Sequence, residues 1–172
     1  MLHEGASVFM TDISPTALSK ALDKVNQVVP ASSRAGQRVE TRTVDVSKES
    51  DVESAVNFLD SWGGVDVMFN NAGIMHPKDG DEEEVPEDIW DLTMNINVKG
   101  VFYGSKHAVR SFRRFGKKRG SVINTASMVA IVGAATPQIA YTASKGAVLA
   151  LTRELAIVHA REGKAVSSLS HS

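Results

Sequence analysis

The 172-residue sequence predicts an α/β protein on a doubly wound parallel sheet, and three observations carry that reading. Short apolar runs alternate with amphipathic stretches of about 12 residues or more, the pattern of βαβ units with right-handed crossovers. The most distinctive polar residues fall just past the ends of those runs, where an open parallel sheet binds ligands. No internal repeat or linker divides the chain, so residues 1–163 read as one layered domain.

Taken in order, Ala6 to Met10 is strand-like and ends at Asp12. Ser14 and Pro15 then supply an N-cap and an N1 proline for a helix reaching about Val28, with Leu18, Leu22 and Val25 on one stripe. Val39 to Val44 alternates as a strand and ends at Asp45. Ser47 is expected to cap the next helix, whose Val52, Val56 and Leu59 face inward before Gly63 and Gly64 stop it. Val65 to Phe69 is a third strand, running into the turn Asn70-Asn71-Ala72-Gly73. After an acidic loop from Asp79 to Glu84, Pro86 opens a long helix through Trp90, Met94, Val98, Val101 and Phe102. Ser121 to Thr125 is a fourth strand, and the last helix begins at Tyr141 and runs to about Arg161. Residues 164–172 have no apolar period, and four of the last six are serine, so they are expected to fray as a divergent tail.

Composition narrows the function classes. The net charge is −1 with 42% hydrophobic and 23% charged residues, which gives no bulk attraction for nucleic acid or membranes. Without cysteine there is no disulfide, thiolate ligand or thiol nucleophile, and the N-terminus lacks a signal-peptide apolar core; the chain reads as cytoplasmic. The basic run from Arg110 to Arg119 reads as cations at a helix C-terminus, and the acidic loop as solvated.

Tyr141 and Lys145 stand four apart, neighbours on one helical face, and follow Ser127 at the end of the fourth strand. A free phenol, with a pKa of about 10, exchanges protons poorly at pH 7, but a nearby ammonium favours the phenolate. Lys145 can thus make Tyr141 a proton donor and acceptor, with Ser127 hydrogen-bonding a substrate hydroxyl or carbonyl. A tyrosine and a lysine at this spacing are equally an ordinary amphipathic pair. Asp12, Asp45 and the Asn71–Gly73 turn, each taken alone, are equally well read as turn or capping residues.

The full constellation decides more than its parts. Asn71-Ala72-Gly73 after a strand, Asn97 in the Asn97-Val98-Lys99-Gly100 stretch, Ser127, then Tyr141 and Lys145, in that order, resemble the short-chain dehydrogenase/reductase family from about Gly5 to Gly163. The resemblance implies a Rossmann-like fold and NAD(P)-dependent hydride transfer between a nicotinamide and a carbonyl or secondary alcohol. It implies that Tyr141 relays the proton, Lys145 assists it and holds the nicotinamide ribose, Ser127 orients the substrate and Asn97 anchors a water. It places Asp12 with Ile13 at the adenosine ribose, which favours NAD over NADP by charge. Asp45 and Val46 would flank the adenine, and Asn71, Ala72 and Gly73 would run past its ribose. The implied partner is a small alcohol or ketone, and full-length members pair as homo-oligomers through the two long helices.

The resemblance is incomplete at both ends. Only eleven residues precede Asp12, with one glycine, Gly5, so the first strand and its glycine-rich pyrophosphate turn are not found. That strand belongs at the sheet centre, and its loss leaves two inner edges without partners. The last strands expected after Gly163 are not recognisable either. The expectation is a truncated dehydrogenase; the alternative is a non-catalytic module that pairs with a partner subunit or is not stably folded.

Overall fold

The computed structural model describes every residue except 31, 33, 35 and 172. Contacts gather the chain into two compact units, Met1–Asp45 and Val46–Ser172, where the sequence reading has one layer system.

The first unit is a single βαβ element: β1 (Val8–Asp12), α1 (Pro15–Val28) and β2 (Val39–Thr43). The strands are parallel, with Val8 opposite Val39 and Asp12 opposite Thr43. Helix α1 starts as its sequence predicts. The Ser14 hydroxyl accepts the Ala17 N–H at 3.2 Å, Pro15 occupies the first turn, and Leu18 is buried.

The second unit contains α2 (Glu49–Phe58), β3 (Val67–Asn70), α3 (Glu87–Met94), a π-helical segment (Asn95–Lys99) and α4 (Gly100–Arg114). It continues through β4 (Gly120–Ser127), the short α5 (Val129–Val132), α6 (Ile139–His159) and β5 (Lys164–His171). Its sheet is parallel in the order β3-β4-β5. The helix predicted from Pro86 is therefore one rod with a wider turn in its middle. Lys48, not Ser47, is the N-cap of α2, and it makes no side-chain cap bond.

Phe112, fully buried, centres the core of this unit with Val56, Val65, Ala108, Val109 and Val122, and Leu59, Met68 and Val166 pack around it. A polar seam runs beside it. The Asn70 side-chain N–H donates to Asn124 Oδ1 at 2.9 Å and to Ser105 Oγ at 3.2 Å, and Asn124 donates to Thr152 Oγ1 at 2.9 Å. These bonds join β3, β4, α4 and α6 with their buried amides satisfied. Gly104 permits the approach, since a Cβ there would overlap the Asn70 amide.

Two expectations change here. The tail from Lys164 does not fray: β5 pairs with β4 from Lys164 opposite Gly120 to His171 opposite Ser127. An apolar period is not required, because the strand lies at the sheet's edge and the ladder satisfies its backbone while Val166 meets the core. Ser172 lies outside the described residues. The acidic loop, expected to be wholly solvated, is so only in Glu82, Glu83 and Glu84, whereas Asp79 is half-buried and Gly80 buried.

Among the described residues β1, β2, β3 and β5 each keep one edge without a strand partner. On β3 the side chains of Val67 and Phe69 are 49% and 42% exposed.

The basic run is tied into ion pairs. Arg114 meets Asp60 at 2.8 Å, Lys117 meets Asp66 at 2.5 Å, and Arg113 makes a two-pronged contact with Glu162 at 2.6 and 3.0 Å. Arg113, and then His159, hold the Glu162 carboxyl down at about 2. A folded-state value below the unfolded one stabilises the fold at pH values above the unfolded value, and that contribution disappears as pH falls through about 2. Glu162→Gln is accordingly expected to lower the urea midpoint at pH 6, with the gap to the wild type closing as pH falls through about 2. A gap of equal size at both pH values would contradict this assignment.

Candidate active site

Asn97 lies in the π-helical segment, and its side chain is 0% exposed. Wider turns of this kind redirect one side chain relative to the α-helix on either side. The Asn97 carbonyl accepts the Ile74 N–H at 2.8 Å, while its amide donates to the Ile74 carbonyl at 2.9 Å and to Ser144 Oγ at 2.9 Å. Ser144 in turn donates to the Tyr141 carbonyl at 2.7 Å. Asn97 therefore fastens the segment after Gly73 to α6.

Tyr141 and Lys145 project from the first turns of α6. The Lys145 ammonium sits 5.6 Å from the Tyr141 ring centroid and donates to the Thr125 carbonyl of β4 at 2.8 Å. Only 4% of Lys145 is exposed, and burial draws its pKa below the ordinary lysine value. Gly73 closes in on the same point: a Cβ there would lie 3.2 Å from Asn97 Oδ1 and 3.4 Å from Lys145 Nζ. A side chain at 73 would press on the Asn97 carbonyl oxygen and touch the ammonium, which is a physical reason for glycine.

Ser127 ends β4 two residues beyond Thr125, hence on the same face of the strand, and is buried. Asn71 accepts a hydrogen bond from the Thr125 hydroxyl at 3.1 Å, and Asn71 and Ala72 are exposed past the end of β3. Val46 packs on Gly100. Asp12, Ile13 and Asp45 belong to the first unit. There, Asp12 Oδ1 accepts the Ser14 N–H at 2.8 Å, an Asx turn leading into α1, and Ile13 is exposed.

The structure thus brings Gly73, Asn97, Tyr141 and Lys145 together. Sequence reasoning misses Thr125 and Ser144, which join them. Ser144 had a signal, lying between Tyr141 and Lys145 at i+3 from the tyrosine, whereas Thr125 contributes through a backbone carbonyl that no side-chain pattern reveals. Beside the first turn of α6, an open cleft of about 380 Å³ is lined by Gly80, Asp81, Ala134, Pro137, Ile139 and Thr142. Among the described residues there is no group of three His, Cys, Asp or Glu able to hold a metal ion, and no helix is long and apolar enough to cross a membrane.

Comparison with known proteins places this geometry in a family. The profile described as "short chain dehydrogenase" matches residues 1–170. A 3beta-hydroxysteroid dehydrogenase 2 from Eggerthella lenta is 35% identical over 94% of the chain, which covers 59% of that protein. Levodione reductase from Leifsonia aquatica is 33% identical over 97% of the chain, covering 60% of that protein. Among solved structures, a levodione reductase superposes with a TM-score of 0.87 at 32% identity, over 97% of this chain and 62% of that one. An NAD+-bound xylitol dehydrogenase gives 0.85 at 30% identity, over 97% and 60%. The chain belongs to the short-chain dehydrogenase/reductase family and has its Rossmann-like α/β fold. It spans about three-fifths of the length of these relatives.

Proposed function

We propose that this chain carries the proton-transfer end of an NAD(P)-dependent oxidoreductase that interconverts a carbonyl and a secondary alcohol. The observation that carries the reading is the buried Lys145 ammonium beside the Tyr141 ring, fixed by Thr125 and approached by Gly73. In this reading the Tyr141 hydroxyl gives a proton to the substrate oxygen during reduction and takes it back during oxidation. Lys145, fastened to the Thr125 carbonyl beside the ring, assists that transfer. Ser127 holds the substrate oxygen by hydrogen bonding, and Asn97 anchors a water behind Lys145.

The second unit suits the nicotinamide end of the cofactor. Lys145 and the bare backbone at Gly73 suit a nicotinamide ribose, and Asn71 and Ala72 are accessible beside them. The bound nicotinamide would supply or accept the hydride. Taken by itself, the first unit offers Asp12, with Ile13 and Asp45, which would favour NAD over NADP by repelling a ribose phosphate. The β1–α1 turn, Thr11-Asp12-Ile13-Ser14, contains no glycine and does not make the pyrophosphate cradle. Relatives named for hydroxysteroid, borneol and levodione chemistry support a small cyclic alcohol or ketone as substrate.

A second reading is favoured by the open edge of β3 and the exposed Val67 and Phe69 on it: a non-catalytic module that assembles with a partner subunit. Exposed Phe102 on α4 and Ile157 on α6 are consistent with pairing through these helices. NADH fluorescence with size-exclusion chromatography separates the two. The oxidoreductase reading expects saturable enhancement of NADH emission and alcohol-dependent NADH formation; an assembled species that neither binds NADH nor turns over supports the module.

A further inference from the structure

The first turn of α6 is held from a distance. Gln138, at the N-cap, makes no side-chain cap bond. Asp79 does this work instead: its Oδ1 accepts the Ala140 N–H at 3.1 Å and its Oδ2 the Tyr141 N–H at 2.8 Å. The Gly80 carbonyl accepts the Ile139 N–H at 2.9 Å. Three successive amides that a helix N-terminus leaves without intrahelical partners are thereby satisfied by two adjacent residues of another segment.

We propose that Asp79 is a positioning residue for Tyr141, an inference that rests on the reading of Tyr141 as the proton-transfer group. Tyr141's own backbone N–H is one of the two that the carboxylate binds, so the Cα from which the phenol projects is fixed directly. Using one oxygen per amide fixes direction as well as distance, and a negative charge suits the positive end of the helix. The segment bearing Asp79 is itself anchored. At its start Ile74 is bound through both backbone groups to Asn97, which also grips Ser144 of α6. At its end Gly80 fits closely, since a Cβ there would lie 3.1 Å from Glu84 Cβ, and Asp81 Oδ1 accepts the Glu83 and Glu84 N–H groups, both at 3.0 Å. Tyr141 is thus set from two sides, by Asn97 through Ser144 and by Asp79 through its amide. Misplacing a reacting group by about 1 Å costs on the order of 100-fold in rate.

The test is amide hydrogen exchange resolved to single residues on the 172-residue chain, in the wild type, Asp79→Ala and Asp79→Asn, with alcohol oxidation measured in parallel. In Asp79→Ala, exchange at Ala140 and Tyr141 is expected to rise about tenfold or more while Val122 and Asn124 in β4 keep wild-type rates. Asp79→Asn, which retains an acceptor oxygen, is expected to fall between and carries the same test should the alanine variant not fold. Turnover number is expected to fall at least tenfold in the alanine variant with KM within about twofold, and to recover in part in the asparagine variant. Unchanged exchange at Ala140 and Tyr141, or a rise shared equally by β4, would overturn the proposal. So would a rate loss that merely follows the fraction of unfolded protein. If the wild type oxidises no alcohol, the oxidoreductase reading fails, and the exchange pattern alone decides the clamp.

Discussion

Tyr141→Phe is expected to lower turnover by about 10²–10⁴-fold, the usual contribution of a positioned proton donor or acceptor, while leaving the thermal transition where it is. The two side chains differ by one hydroxyl, and no hydrogen bond described above depends on it: the site's bonds to Tyr141 run to its backbone carbonyl and N–H. On the proposed reading the substitution removes the proton route and keeps the packing of α6. NADH absorbance under saturating alcohol measures the effect, with calorimetry as the control on folding. Retention of more than about a tenth of the activity would mean that another group moves the proton.

Phe112→Ala is the largest change expected in stability. The ring is 0% exposed among Val56, Val65, Ala108, Val109 and Val122, and the backbone of Gly120 lies so near that a Cβ there would strike it. A buried phenylalanine replaced by alanine costs about 3–5 kcal/mol, with Met68 and Leu59 the neighbours most able to lean into the gap. Domains of this size hold about 5–15 kcal/mol in all, so a large share goes with one side chain. Urea denaturation of the variant is expected to show a midpoint depressed in that proportion, or no cooperative transition. A loss under about 1 kcal/mol would show that the core around β4 and α4 collapses onto the gap.

Much of this was legible from residue order. The alternation of apolar runs and amphipathic stretches located β1 to β4 and the long helices, because burial on one face imposes a period that one chain displays by itself. Ser14 and Pro15 marked the start of α1 for a similarly local reason. Tyr141 and Lys145 were legible because helical spacing makes them neighbours. What stayed hidden depended on partners distant in sequence. The cap of α6 is supplied from Asp79, and nothing near Gln138 announces it. The strand at Lys164–His171 owes its form to the ladder of β4, which a serine-rich sequence does not advertise.

The π-helical turn also constrains how this protein can change. Ile89, Thr93, Asn97, Val101 and Ser105 are buried at steps of four along one rod, whereas an α-helix returns to the same side every 3.6 residues. Such a series would wander around the cylinder, and the loosened turn at Asn95–Lys99 takes out part of the drift. One extra residue of slack thus aligns Asn97 with Ile74 and Ser144 and indexes the upstream buried face to the downstream one. Deleting a single residue there would rotate Phe112's face against its partners as well as turning Asn97 away. The bonds of Asn97 and the packing of Phe112 share one gear tooth in this helix, and neither can be re-cut alone.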